Sequence, residues 1–529
     1  MKEALKETLS NLAGRFVHLF NLGHAEESLE LFTENAALAL PLFEGGKSFS
    51  GKAEIRNAFE EKDRQFWREG RVIYHFLHTP ILKIAPRQES AEGIWMTFTF
   101  LEDRSEQTME PIVCRIVFSF IPENEIWKIQ EVSHQIFTSI APFHEKGNSR
   151  NLQMISDAFG RNREKDLTCR VNDADYREIQ NLQSHYIYDQ GENLKTEFCE
   201  KGEVSFQEVF LKKKASGVEE IRKAIVTLET IVRNNGGSAG WYGLMTPYIA
   251  GSIDGETAEG FWNTFGFIIR GKGYGAKEET VSLEPVIGLL HQTFQKENGT
   301  WKFKTFHHEQ IAYLDDWMFT PGRPSGSNKE NIGLIQLKGE GEWKKPDWMQ
   351  QGSGSPEEYW EIEEIESYDI SYLNSGRTGD FPKRFFSEKE NDVKAWISSP
   401  QAKEITGYEQ IIRLFEAFEK LREKQGNAQS VHSSSTPFIS ILEDGTEAIA
   451  RWLDIGWTVH GSGMGNQTPP FPVVPVFGMY EHRVVKENAH WKLKRYSFYS
   501  MIQIHHWLTD PEKSRGWSAG DREHPWPLP

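Results

Sequence analysis

The chain predicts an α+β protein of three tandem domains, each with N-terminal helices packed on a curved antiparallel sheet. Three observations predict it. A Thr-Pro pair heads a strand-like run at 79–80, 246–247 and 436–437. An aromatic-rich strand follows each pair: AEGIWMTFTF, TAEGFWNTFGF and TEAIARWLDIGW. Further on, ENEIWKI, ENGTWKF and ENAHWKL place a tryptophan at 127, 301 and 491. The spacing from Thr to Trp is 48, 55 and 55 residues. Shared residues at a shared spacing mark one unit written three times.

Each unit opens with a helix. Leu5, Leu9, Leu12, Phe16 and Leu19 recur at steps of four and three, the period of one helical face. Ile179, Leu182, Tyr186 and Asp189 follow the same phase, as do Ile362, Ile365, Tyr368 and Tyr372. A second amphipathic segment precedes each Thr-Pro: GKAEIRNAFEEKDRQF, GVEEIRKAIVTLETIV and GYEQIIRLFEAFEKLR. Strands then run consecutively, and the Glu-Asn pair before each tryptophan reads as a hairpin turn. Helices first and strands after place the helices on one face of the sheet. The domains are expected at 1–145, 166–322 and 358–509, with linkers at 146–165 and 323–357 and an irregular tail at 510–529. The Gly/Pro/Ser-rich runs PGRPSGSNKE and QQGSGSPEE mark the second linker.

Bulk composition narrows the function classes. A net charge of −17 argues against nucleic acid or an anionic membrane surface as partner, since both need a basic face. No run of eighteen apolar residues occurs, and the acidic amphipathic N-terminus is not a signal peptide, so a cytoplasmic protein is expected. Cys114, Cys169 and Cys199 fit free thiols in a reducing compartment, and no zinc spacing appears. RGKGYG and HGSGMGNQ follow strands without opening a helix, so they are loops and not phosphate cradles. The 17 Trp, 34 Phe and 15 Tyr suit pockets for a small apolar or aromatic molecule, or simply large cores.

Three motifs carry a family resemblance. YDQGE (188–192) ends the second domain's first helix with Tyr-Asp. His75, Tyr242 and His432 stand four residues before each Thr-Pro, and WKFKTFHHEQI (301–311) forms a last strand. With this order of elements, the chain resembles the nuclear transport factor 2-like, SnoaL-like α+β cone domains, in the scytalone dehydratase and bile acid 7α-dehydratase branch. The resemblance implies three cone-shaped domains. Dehydratases of that branch are trimers of single cones, which implies a single-chain pseudo-trimer; a further homodimer stays open. It also implies a cofactor-independent lyase (dehydratase) or isomerase, moving protons on an apolar, cyclic, carbonyl-containing molecule. No cofactor and no metal are expected. The departures favour a second reading, a non-catalytic binding or scaffold protein. Only the middle unit keeps an aspartate at the helix end, where its histidine has become Tyr242, while Asn21 and Asn374 replace that aspartate elsewhere.

The candidate catalytic residues are therefore Tyr188, Asp189, Tyr242, His307, His432, Asp454 and His75. Asp189 lies in phase with its helix's apolar stripe, which suits a buried general base or orienting partner, or else a helix-end cap. Tyr188, Tyr186 and Tyr242 offer phenols to a carbonyl or enolate oxygen, or serve as core tyrosines. His75 and His78 are three apart and face opposite sides of a strand, so they cannot jointly clamp a metal. A His432–Asp454 pair across adjacent strands would hold one tautomer and tune basicity, with Asp369 and His460 nearby. His291 and His307, on the last two strands of the middle unit, could supply the base that Tyr242 cannot. Tyr186, Trp241, His291 and Asp369 are the candidate substrate contacts.

Overall fold

The structure, a computed structural model, describes residues 3–39, 48–62, 71–103, 105–139, 143–147, 171–189, 197–207, 212–224, 237–252, 254–270, 282–314, 354–389, 393–397, 403–424, 429–442, 444–459, 472–503 and 506–507. Those up to 314 form one compact unit and those from 354 onward a second. The first unit holds two of the three repeats. Among the described residues no helix is long and apolar enough to cross a membrane.

The first domain contains α1 (Glu3–Leu22), α2 (Ala25–Glu30), β1 (Phe32–Ala39), β2 (Ser48–Ser50), α3 (Lys52–Lys62), β3 (Arg71–Ile84), β4 (Ala91–Asp103), β5 (Thr108–Glu123) and β6 (Ile126–Ser139). A short β7 (Phe143–Gly147) follows. The second domain contains α4 (Asp173–Asp189), β8 (Phe198–Gln207), β9 (Lys212–Ser216), β10 (Gly237–Gly251), β11 (Thr257–Arg270), β12 (Ser282–Glu297) and β13 (Thr300–Leu314). The third contains α5 (Pro356–Ser375), α6 (Asp380–Phe385), β14 (Lys394–Ile397), β15 (Lys403–Thr406), α7 (Tyr408–Lys424), β16 (Gln429–Ile441), β17 (Glu447–Val459), β18 (Pro472–Glu487) and β19 (His490–Gln503), with β20 (His506–Trp507) beside β18.

The strand order is the same three times: β3-β4-β5-β6-β1-β2, β10-β11-β12-β13-β8-β9 and β16-β17-β18-β19-β14-β15. The sheets are mixed rather than wholly antiparallel. The strand after the first helices returns beside the last strand and runs parallel to it, as β1 does with β6. These are three tandem α+β cone domains, each with helices closing a curved six-stranded sheet.

The repeated motifs have local physical causes. At each Thr-Pro the pairing slips, at Leu77/Pro80, Met245/Tyr248 and Ser435/Phe438. Proline cannot donate to a ladder, so these are β-bulges. Thr246 and Thr436 adopt φ of 54° and 56° there. Each Glu-Asn ends in a two-residue hairpin turn with both central φ values positive, at Asn124-Glu125, Asn298-Gly299 and Asn488-Ala489. Trp301 and Trp491 are core residues at 2 % exposure, whereas Trp127 is half-buried.

Within the first unit the two sheets meet back to back. Phe98 and Phe100 of β4 pack on Phe265 of β11, with ring centroids 5.8 and 5.1 Å apart. Polar ties frame that contact. Thr246 Oγ1 accepts the Leu77 N–H at 2.8 Å, Asn263 donates to the His75 carbonyl at 3.0 Å, and Asn11 brackets the backbone of Ile249. A buried ion pair joins Arg177 to Glu7 at 3.2 Å.

Candidate active site

The site in the third domain begins with α5. Ser355 and Glu358 form a capping box with Pro356 in the first turn, and Gly376 ends the helix at φ 76°. Its buried residues include Ile362, Glu363, Ile365, Glu366, Asp369 and Ile370, so three carboxylates lie among the apolar side chains. At the helix end, the Asn374 amide brackets the backbone of His432. It donates to the His432 carbonyl at 2.9 Å and accepts the His432 N–H at 2.8 Å. Asn21 holds His75 identically, at 2.9 and 2.8 Å. An aspartate could not donate to a carbonyl, which explains why asparagine stands at both helix ends. The asparagine grips the main chain and leaves the imidazole to find its own partner.

His432 finds Asp454. Its Nδ1 lies 2.8 Å from Asp454 Oδ2, with the side chains 8 % and 0 % exposed. A second pair lies in the same interior, His482 Nε2 to Glu366 Oε2 at 2.9 Å, both fully buried. Ser434 donates to the other oxygen of Glu366. Tyr496 donates to Asp369 Oδ2 at 3.0 Å. Burial, then the charge of Glu366 and, more weakly, that of Asp454, hold the Asp369 carboxyl well above the usual carboxylate range, against the pull of the Tyr496 bond. That direction favours the protonated form of Asp369. Burial also pushes the Tyr480 and Tyr496 phenols well up, so both remain donors. Among the described residues, Glu366, Asp369 and His482 could also hold an ion, with donor atoms within 4.8 Å of one another. An ion there would have to displace the Glu366–His482 bond.

The other two domains carry different chemistry in the same layer. Glu178 accepts the Trp301 N–H at 3.0 Å, and Glu361 accepts that of Trp491 at 3.1 Å. One turn earlier, Asp175 pairs with Lys296 and Glu358 with Lys486. These anchors align α4 with α5 and put Gln183 in the place of Glu366 and Tyr186 in that of Asp369. On the strands, Gln292 opposite Phe306 matches His482 opposite Tyr496. In the first domain the asparagine clamps put Ala13 and Phe16 there, with Phe118 opposite Val132. The layer is apolar in the first domain, neutral and polar in the second, and ionisable in the third. Buried ions cost several kcal/mol unless paired, and the third domain supplies the pairs.

The remaining predicted residues separate by this layering. His75 is buried beside Thr99 at 2.7 Å, and Thr97 stands where Asp454 stands in the third domain. The Cys114 thiol behind Thr99 is pushed up to about 12 by burial. Tyr186 lies inside the second cone, with its ring 4.9 Å from Phe306. His291 and His307 do not lie there. They face each other across β12 and β13 on the opposite side of the sheet from Phe306, where His291 stacks on Phe261 at 4.5 Å and bonds Glu259. The inward histidine is His308, 3.0 Å from Thr264. A bulge at Lys304 shifts the alternation, so counting from Trp301 misplaces the face. The α4 register also sets Asp189 level with Tyr372 rather than Asn374. The side chains of Tyr188, Asp189, Trp241 and Tyr242 lie outside the described residues, as does His460. Glu366, Ser434, Tyr480, His482 and Tyr496 are additions to the predicted set. Glu366 and Asp369 in phase with Ile362 and Ile365 were the available signal.

A model of the SnoaL-like domain matches residues 4–133 and 357–497. No curated protein matches the chain. Among solved structures, the chain is similar to a putative aromatic ring hydroxylase from Novosphingobium aromaticivorans, at 18% identity and a TM-score of 0.23, covering 29% of this chain and 96% of that one. It is likewise similar to a putative scytalone dehydratase from the same organism, at 18% identity and a TM-score of 0.22, covering 28% and 93%. A hexachlorocyclohexane dehydrochlorinase, LinA type 2, shows 11% identity and a TM-score of 0.25, covering 28% and 95%.

Proposed function

The chain belongs to the SnoaL-like domain family, and from that premise we propose that its third domain is a cofactor-independent lyase or isomerase. It acts by acid/base proton transfer on an apolar, cyclic, carbonyl-containing small molecule. The observation that carries this reading is the 2.8 Å His432–Asp454 bond in the same interior as Asp369, whose carboxyl is held well above the usual carboxylate range by burial and the Glu366 charge. Asp454 accepts the Nδ1–H of His432 and fixes the tautomer whose Nε2 is a lone-pair base. That edge, away from the fully buried Asp454, takes the residual exposure of the imidazole. Nε2 removes a proton next to the substrate carbonyl, and the electron pair passes to the carbonyl as an enolate. Tyr496 stabilises the oxygen by turning its O–H from Asp369 to the enolate. For elimination, Asp369 protonates the leaving hydroxyl, water departs, and the imidazolium proton returns to Asp369. For isomerisation, the same proton is returned to carbon. For the first domain, the apolar layer of Ala13, Phe16 and Phe118 favours the other reading, a non-catalytic scaffold.

The test is proton exchange in heavy water on a panel of cyclic hydroxyketones, read by NMR. Wild type exchanges the α-proton and His75→Asn retains the rate. His432→Asn and Asp454→Asn lose it, the first by about a hundredfold or more. A fully active, folded His432→Asn chain removes this mechanism.

A further inference from the structure

We propose that the interior of the second domain is a binding site, without catalysis, for a flat uncharged molecule. The polar edge of that molecule offers one donor and one acceptor side by side, as in a lactam or a primary carboxamide. The inference starts from two glutamines. Gln183 of α4 and Gln292 of β12 are 1 % and 0 % exposed. Both amide atoms of each lack any hydrogen-bond partner. Buried amides are otherwise almost always paired, so four unpaired atoms in one layer call for an occupant.

The two side chains address the same space. They occupy the places of Glu366 and His482, which bond each other at 2.9 Å in the third domain. Tyr186, one turn beyond Gln183, meets Phe306, the strand partner of Gln292. Helix and sheet thus each point one carboxamide into the cone. Phe306 also neighbours Phe303 at 5.9 Å and Phe206 at 6.0 Å, giving an aromatic wall for a flat body. On the adjoining strands Thr264 and His308 satisfy each other at 3.0 Å. Gly288 leaves that pair its room, since a Cβ there would lie 2.6 Å from Thr264 Oγ1 and 2.7 Å from His308 Nε2. A neutral ligand suits this layer. Where the third domain has Glu366 and Asp369, the second has Gln183 and Tyr186, so a charged ligand would be stripped of water without a counter-charge. Each glutamine offers an N–H and a carbonyl, and together they match a donor–acceptor edge.

The experiment uses the full chain, with isoquinolin-1-one as the lactam probe and naphthalene as the same body without the polar edge. Binding is measured by calorimetry and by saturation-transfer NMR. The lactam should bind saturably. Gln183→Met and Gln292→Met, close in volume to the wild type, should each weaken it about tenfold. Naphthalene should bind the variants as well as the wild type, and His432→Asn should bind the lactam unchanged. Selective glutamine side-chain labelling gives a readout without any variant, since the lactam must shift two NH₂ resonances. The proposal is overturned by the absence of saturable lactam binding, by unchanged affinity in both folded methionine variants, or by loss of binding in His432→Asn. None of these outcomes depends on turnover in the third domain.

Discussion

Mild acid should destabilise the unit formed by the first two domains, by an amount set by three buried histidines. Burial holds His78 and His134 down to about 3, and His18 to about 4. His18 Nε2 donates to the Thr246 carbonyl at 2.7 Å, His78 meets the edge of Phe98, and His134 meets the ring of His75. Each imidazole is thus neutral when folded and takes up a proton when unfolded. With the folded value below the unfolded one, the stabilisation is present above about pH 6.5 and is lost as pH falls toward the folded value. Between about pH 7.5 and about pH 5 the linkage costs about 2 kcal/mol per histidine, or about 6 kcal/mol for three. That rivals the whole stability of an ordinary domain, about 5–15 kcal/mol. Urea unfolding at the two pH values measures it, and His134→Phe supplies the control because Phe498 stands at that position in the third domain. The variant should lose about 2 kcal/mol of the pH dependence. An unchanged midpoint for the wild type, or an unaltered slope in His134→Phe, would refute the reasoning.

Three more outcomes are expected. Asn374→Asp removes the donor to the His432 carbonyl and should cost about 1–3 kcal/mol in urea unfolding of the third domain, with Asn21→Asp costing the first domain as much. Asp369→Asn should flatten the pH dependence of the third domain. The raised carboxyl stabilises fully below the ordinary carboxylate value and loses that contribution as pH climbs from there through its folded value, so the variant gains on wild type over that rise. Ala489→Gly relieves a positive φ of 67° and should raise stability by about 0.5–1 kcal/mol, visible as a higher thermal midpoint; no gain would mean the turn is not strained.

Much of the architecture was legible because it rests on local rules. Thr-Pro marks a bulge for want of an N–H, Glu-Asn marks a turn that wants positive φ, and helical phase marks α1, α4 and α5. The His432–Asp454 contact was legible too, since two residues near one strand pairing must meet. Side-chain facing was harder. Sequence alone does not say which of His307 and His308 faces inward, because strand parity cannot be carried through Lys304, where the ladder slips by one residue. The same slip occurs in β6 and β19, at Gln130 and Lys494. His482 and Tyr496 escaped notice because their meaning depends on Glu366 and Asp369, more than a hundred residues away. Sequence shows Asn21 and Asn374 only as departures from an aspartate, and geometry shows that they serve the backbone.

The dry aromatic seam between β4 and β11 bears on how such a chain can be cut or shuffled. Severed from its neighbour, either partner would bare Phe98 and Phe100 or Phe265 to water, and would leave Arg177 or Glu7 stranded without its counter-ion. The smallest piece of this half of the chain that recombination can move intact is the welded pair.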